Sequence, residues 1–167
     1  MGHVSTKRLL AAAALWLMIG PAAGHAAECG PWKFDANVET EGGTEPQASL
    51  ACKDNTGITV MCVSGDFIAG LRYYPSKSAG EEEGYKQFRF KTGQQSFEVW
   101  LRMEAMDGAW AGYMEFEHPV FTAIRSEKGP LEVTDVAGKT TDVLPLTDAA
   151  KAFDGLLKAC QAGEEQQ

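Results

Sequence analysis

The chain has 167 residues, of which 15 are Lys or Arg and 23 are Asp or Glu, giving a formal net charge of −8. Such an acid excess argues against a nucleic-acid or anionic-lipid partner, because binding either needs clustered Lys and Arg. The length suffices for one hydrophobic core and is too short for two typical domains. We therefore predict a single folded domain.

Residues 1–27 are typical of a secretory signal peptide. Lys7 and Arg8 supply the positive start, residues 9–19 are apolar, and small residues precede Glu28. The alternative, a membrane anchor, is disfavoured because a spanning helix needs about 20 apolar residues. Cleavage leaves 13 basic and 23 acidic residues, a net charge of −10. We predict a periplasmic or secreted protein without an integral membrane segment.

The mature part contains all four cysteines, and an even number in an exported chain predicts two disulfides. A zinc site would need close Cys or His pairs, which are absent from the sequence. Cys52 and Cys62 flank a predicted hairpin turn at 55–57, where they are out of register and too far apart to be bridged. We favour Cys52–Cys160 with Cys29–Cys62, while the other pairings stay open.

Short alternating segments separated by turn residues recur through residues 28–160 and predict a mainly β domain. We expect an antiparallel β-sandwich or strongly curved sheet of about eight or nine strands. Two polar stretches, 39–45 and 76–85, are predicted to be loops. The second contains Glu81–Glu83, an acidic run that could bind a cation but is more often solvated charge.

The dipeptide Asp107-Gly108 is typical of a two-residue type I′ hairpin turn. That turn pairs Met106 with Ala109 and turns the larger apolar side chains of both strands towards the core. The opposite face then aligns three cross-strand pairs: Trp100 with Glu115, Arg102 with Tyr113, and Glu98 with Glu117.

We take Trp100, Arg102, Tyr113, Glu115 and Glu117 as the candidate partner-binding residues. Directly opposed carboxylates are unfavourable on a sheet, a cost that a binding face could justify. Aromatic side chains beside charges suit a sugar or a peptide. The alternative interpretation is an ordinary outer face, with Arg102 bridging to the acids and Trp100 covered by a loop.

Two helices are expected. Pro119 suits the first position of a short helix over 119–126. An amphipathic helix over 147–160, with Thr147 as its N-cap, closes the domain, and residues 161–167 form a flexible tail. His118, the single histidine of the mature chain, is expected to cap the first helix or lie at the surface.

Recognisable catalytic patterns are missing from the sequence. It contains no G-x-S-x-G, phosphate-loop or dinucleotide motif, and one histidine makes neither a multi-His metal site nor an easily assembled triad. We expect no enzyme activity and no cofactor or metal. The remaining catalytic alternative is a glycan hydrolase that uses two of Glu98, Glu115 and Glu117.

Three stretches carry a resemblance: ACKDNTGITVMCVSGDFIAG (51–70), FRFKTGQQSFEVWL (88–101) and LPLTDAAKAFDGLLKAC (144–160). In this order they resemble small exported bacterial proteins that include the type VI secretion-associated accessory proteins. The end of the chain is also similar to invasion-associated locus B-like proteins. The resemblance implies a periplasmic, non-catalytic β domain in which Cys52 and Cys160 form a pair.

These observations predict a non-catalytic periplasmic accessory or protein-interaction domain of a Gram-negative bacterium, whose partner is another exported or envelope protein. One alternative is an inhibitor of an exported hydrolase such as lysozyme, which would present the loop Gly80–Gly84 to its target. The other is the carboxylate-based glycan hydrolase.

Overall fold

The computed structural model of this protein describes residues 25–26, 28–40, 43–63, 67–77, 83–136 and 141–164. Within them the chain forms ten strands and two helices. The strands are β1 (His25–Ala26), β2 (Lys33–Thr40), β3 (Gly43–Ala51), β4 (Gly57–Val63), β5 (Ile68–Tyr74), β6 (Tyr85–Thr92), β7 (Gln95–Glu104), β8 (Ala109–Glu115), β9 (Leu131–Asp135) and β10 (Thr141–Leu144). The helices are α1 (Pro119–Ser126) and α2 (Ala149–Glu164).

All ten strands belong to one continuous open sheet, in the order β1-β10-β9-β6-β7-β8-β5-β4-β3-β2. Every pair is antiparallel except β1 with β10. The prediction of a mainly β domain built on a curved antiparallel sheet is therefore confirmed.

The sheet bends strongly between β5 and β6, which are separated by β8 and β7. Strand β7 pairs with β6 along its length, but with β8 only over Arg102–Glu104. The bend brings β5 and β6 together although two strands separate them in the sheet. The rings of Tyr73 and Phe88 are 5.4 Å apart between centroids, and those of Phe88 and Trp110 are 5.3 Å apart. The concave inner face thus encloses the core.

Helices α1 and α2 cover the open side of this core. The ring of Phe153 on α2 contacts Phe121 on α1 at 5.8 Å and Trp32 at 5.4 Å between centroids. Trp32 Nε1 donates a hydrogen bond of 3.1 Å to the Pro145 carbonyl. His118 caps α1 as predicted, because its Nδ1 accepts from the Val120 amide at 3.3 Å.

The structure contains two disulfides, and the predicted pairing is wrong. The bonds join Cys29 to Cys52 and Cys62 to Cys160. The predicted hairpin had the wrong register, since the Cys52 amide donates to the Thr56 carbonyl and Ala51 pairs with Gly57. This longer turn leaves Cys52 beside the incoming N-terminal segment. Cys62 lies near the other end of β4, where α2 ends.

The type I′ turn predicted at Asp107-Gly108 is also wrong. Gly108 has a φ of 64°, but Asp107 is not in the left-handed region. The loop holds four residues, because Glu104 pairs with Ala109 and the Asp107 amide donates to the Glu104 carbonyl at 3.1 Å. The register is shifted by two residues from the predicted one. A shift of two keeps every side chain on its predicted face.

Two boundaries differ from the predictions as well. Glu39, Thr40 and 43–45 belong to the paired strands β2 and β3 and not to a loop, and they are polar because this edge of the sheet is largely exposed. Helix α2 begins at Ala149, after Asp148 adopts a φ of 62°, and continues to Glu164. Thr147 is therefore not the residue that directly precedes the helix.

Parts of the other predictions lie outside the described residues: most of the signal peptide, Gly80 to Glu82 of the acidic loop, and residues 165–167. His25 and Ala26, which belong to the predicted signal peptide, pair with Asp142 and Val143. No helix among the described residues is both long and apolar enough to cross a membrane.

Candidate functional site

A broad concave surface lies mainly on the outer face of the sheet and reaches the end of α2, where Ala159 and Cys160 line it. Its volume is about 1330 Å³, and we call it the outer groove. The β2–β3 hairpin and the β7–β8 loop form its two sides, and outward residues of β4, β5 and β8 form its floor. The side chains used below are those of Glu39, Glu45, Met61, Phe67, Ile68, Arg72, Tyr74, Tyr85, Trp100, Arg102, Glu104, Met106, Asp107, Ala111 and Tyr113.

The floor of the groove contains a glycine, Gly70, on the central strand β5. Gly70 pairs with Met61 on one side and Tyr113 on the other. A β-carbon at position 70 would lie 3.2 Å from Met61 Cγ and 3.5 Å from Tyr113 Cε1. The glycine therefore lets both side chains lie across β5.

Three exposed aromatic side chains line the groove. Trp100 is 61% exposed, Tyr113 68% and Tyr85 70%. Tyr85 pairs with Arg102 across β6 and β7, so the guanidinium lies among aromatic neighbours. Exposed aromatic surface around an Arg is typical of protein-interaction sites.

The structure brings together three of the five predicted site residues: Trp100, Arg102 and Tyr113 all line the groove. Their predicted cross-strand partners are wrong because of the shifted register. Arg102 pairs with Ala111, and Trp100 comes level with Tyr113 instead of Glu115.

Glu115 and Glu117 do not line the groove. Glu115 ends β8 opposite Ile68, and Glu117 follows in the turn before α1. Glu98, the third acid of the predicted cluster, is 2.9 Å from Arg89 and accepts a second hydrogen bond from Gln87 at 2.9 Å. It is not opposite Glu117, because the register is shifted.

Arg72 is a groove residue that the sequence reasoning missed. Its Nε lies 3.1 Å from Glu104 Oε2, and its Nη2 lies 3.6 Å from Asp107 Oδ2. Glu104 at the end of β7 and Asp107 in the β7–β8 loop thus neutralise this guanidinium and fix one side of the groove. Alternation along β5 places Arg72 on the same face as Ile68, a signal that could have identified it.

Phe67 lies at the rim of the groove in a strained backbone conformation. Its φ is 51°, its side chain is 42% exposed, and its carbonyl accepts a hydrogen bond from the Phe116 amide at 3.1 Å. A bulky residue in the left-handed region costs roughly 1–2 kcal/mol, and such strain clusters at functional positions. Its position adds another aromatic side chain to the rim.

A buried polar cluster lies on the inner side of the sheet and is separate from the groove. Asp142 accepts hydrogen bonds from the Tyr73 hydroxyl and from both the amide and the hydroxyl of Ser76. Burial, helped by the charge of Asp142, raises the pKa of Tyr73. Lys86 Nζ lies 3.4 Å from buried Asp135. This cluster joins β5 to β10 and its role is structural.

No group of three or more His, Cys, Asp or Glu side chains within the described ranges is arranged to hold a metal. Comparisons with protein-family models, curated proteins and solved structures found no match for this chain. The resemblance to the type VI secretion-associated and invasion-associated locus B-like proteins therefore stays a prediction.

Proposed function

We propose that this protein is a non-catalytic interaction domain of the bacterial periplasm that binds another exported or envelope protein through its outer groove. The observation that carries the proposal is the set of exposed Trp100, Tyr113 and Tyr85 side chains around Arg102. Trp, Tyr and Arg are the residue types that most often dominate binding energy at protein interfaces.

The shape of the site supports a macromolecular partner. Seven neighbouring strands contribute to the groove, in the order β6, β7, β8, β5, β4, β3 and β2. The four interstrand spacings from β7 to β3 alone, at about 4.8 Å each, give a width of about 19 Å. An extended peptide of about six residues spans that width, at roughly 3.3 Å per residue.

The disulfides support an oxidising compartment outside the cytoplasm. We propose that residues 1–27 direct export and are removed before Glu28. The mature protein would then lose the two-residue strand β1, whereas both disulfides and the whole outer groove would remain.

The hydrolase alternative has less support, and the inhibitor alternative stays a prediction. A carboxylate-based hydrolase requires two of Glu98, Glu115 and Glu117 in one cleft, and none of the three lines the outer groove. A hydrolase inhibitor requires a protruding loop, and most of Gly80–Gly84 lies outside the described residues. A titration that leaves lysozyme activity unchanged at micromolar protein would remove the inhibitor alternative.

The test is a crosslinked pull-down from intact cells with the mature domain as bait. Wild type is compared with Trp100→Ala/Tyr113→Ala and with a control, Thr122→Ala/Lys151→Ala, whose two exposed positions lie on α1 and α2. We expect a specific protein in the wild-type and control samples that is lost with the groove variant. That protein, once purified, should bind the groove variant at least tenfold more weakly. Equal recovery by all three baits would contradict the proposal.

A further inference from the structure

Arg102 differs from the other arginines of the described residues. The guanidinium groups of Arg72, Arg89 and Arg125 lie 3.1, 2.9 and 2.7 Å from their nearest carboxylates. No described carboxylate lies within 4.0 Å of Arg102, which is exposed. Because the chain has 23 acidic and only 15 basic residues, an Arg that no described carboxylate contacts needs an explanation. An unpaired Arg is well suited to bind an external carboxylate through two parallel hydrogen bonds.

The neighbours of Arg102 favour an anion that arrives with apolar groups. Tyr85 is its cross-strand neighbour and Trp100 precedes it by two positions on the same face. On the other side it pairs with Ala111, a small and buried residue. A net charge of −10 after cleavage repels polyanions, which disfavours nucleic acid and anionic lipid as the source. A single carboxylate beside apolar side chains fits this setting.

The far side of the groove has the opposite charge. Glu39 and Glu45 lie on the β2–β3 hairpin and line the groove. No Lys or Arg in the described part of the chain lies within 4.0 Å of either carboxylate. By contrast, Glu104 and Asp107 are already neutralised by Arg72. The groove therefore has an available positive charge on β7 and available negative charges on β2–β3.

The space between these charges is largely apolar. Met61, Ile68 and Tyr113 line the floor between the two sides. Arg102 is level with Ser49, so Glu45 is separated from it by four strand spacings, about 19 Å, and by four residues along the strands, about 13 Å. The path along the sheet is therefore about 23 Å, which corresponds to about seven residues of extended chain. The sheet continues past Arg102 to β6, so a bound segment can run on beyond it. An internal acidic side chain therefore fits better than a terminal carboxylate.

We propose that the outer groove binds an extended protein segment in which an Asp or Glu pairs with Arg102 and a Lys or Arg about seven residues away pairs with Glu45. Apolar side chains between them pack on Met61, Ile68 and Tyr113. This inference rests on the proposed function and specifies the partner chemistry at the same site.

The test uses a phage-displayed library of random 12-residue peptides. The baits are the mature wild-type domain, Arg102→Glu, and Trp100→Ala/Tyr113→Ala; thermal melts check that each is folded. We expect wild type to enrich peptides with an acid and a base six to eight positions apart and apolar residues between. Arg102→Glu should bind synthetic versions at least tenfold more weakly. A peptide whose acid is replaced by Lys should recover binding to that variant.

The outcomes separate the inference from the proposed function. If enriched peptides bind wild type, lose binding to the Trp100→Ala/Tyr113→Ala variant and carry no acidic residue, the charge assignment is overturned while the groove remains the site. If Arg102→Glu selects the same peptide consensus as wild type, the charge assignment is overturned as well. If no peptide is enriched above the naive library, or if the groove is found buried in a homodimer, a peptide-binding groove is overturned.

Discussion

Tyr113 lies across β5 at Gly70, and its Cε1 atom is 3.5 Å from where a β-carbon at position 70 would be. The same β-carbon would be 3.2 Å from Met61 Cγ. One missing side chain thus sets the positions of two groove residues on neighbouring strands. Gly112, by contrast, faces inwards, where a β-carbon would be 2.8 Å from Leu101 Cδ2.

Gly70→Val should weaken partner binding while the domain stays folded. The branched side chain would displace Tyr113 and Met61, and its higher strand propensity offsets part of the crowding. We expect a free energy of unfolding within about 1 kcal/mol of wild type. Gly112→Ala is the matched control at an inward-facing glycine. Its free energy of unfolding should fall by about 1–3 kcal/mol, because the added methyl group overpacks the core. Calorimetric binding of a groove-selected peptide that is unchanged in Gly70→Val would contradict this assignment.

The two disulfides should contribute unequally to stability. Cys62–Cys160 joins residues 98 positions apart and Cys29–Cys52 residues 23 apart. In the chain-entropy model a loop of about 100 residues gives about 4.7 kcal/mol, and the shorter loop between about 3 and 4 kcal/mol. Urea denaturation of the two double Cys→Ala variants should show the greater loss for Cys62/Cys160. Non-reducing peptide mapping that finds Cys52 linked to Cys160 would contradict the structure.

Tyr73→Phe should destabilise the domain because it removes one of the donors to buried Asp142. Loss of a hydrogen bond to a buried charged group costs about 1–3 kcal/mol. Ser76 still donates to the carboxylate, so the fold should survive. A urea titration at pH 7 measures this cost. A variant as stable as wild type would mean that the Tyr73 hydroxyl does not stabilise the fold.

Alkaline pH should destabilise the protein through the same tyrosine. Burial raises the pKa of Tyr73 above its ordinary value of 10.0. Above about pH 10 the unfolded chain releases this proton and the folded chain keeps it, so stability falls as the pH rises, by about 1.4 kcal/mol per pH unit. Tyr74, whose pKa burial also raises, acts in the same direction. Urea midpoints between pH 9 and 11 should fall less steeply for Tyr73→Phe; equal slopes would refute the linkage.

Trp100 should report on the charge of the groove. It is 61% exposed, whereas Trp32 and Trp110, the other described tryptophans, are 3% and 2% exposed. Quenching of tryptophan fluorescence by a small solute should therefore come mainly from Trp100. Arg102→Gln should reduce quenching by iodide, an anion, relative to neutral acrylamide, because the nearby positive charge is lost. An unchanged iodide-to-acrylamide ratio would show that Arg102 does not attract anions to this surface.

The sequence predicted which faces β7 and β8 turn to the core, because alternation survives a register error of two residues. Trp100, Arg102 and Tyr113 were therefore assigned to one surface although their cross-strand partners were wrong. The errors came from turns: the Asp107-Gly108 loop holds four residues instead of two, and the turn after Cys52 lies closer to Cys52 than the predicted turn at 55–57. Turn geometry depends on a balance of local hydrogen bonds that residue type alone does not determine.

Other parts of the site depend on contacts between distant parts of the chain. Arg72 and Tyr85 become groove residues only because β5 lies beside β8 and β6 beside β7. The pairing of Cys62 with Cys160 depends on where α2 ends against the sheet. The polar β2–β3 hairpin lacks the apolar alternation that identifies a buried strand, so its composition indicated a loop.

The most direct test of the central claim is photocrosslinking in intact cells, with a benzophenone amino acid in place of Tyr113. A matched protein carries it at Thr122, an exposed position on α1. We predict a discrete crosslinked product from position 113 that disappears when Trp100→Ala is added, and no such product from position 122. No product from position 113, or the same products from both positions, would contradict a partner in the outer groove.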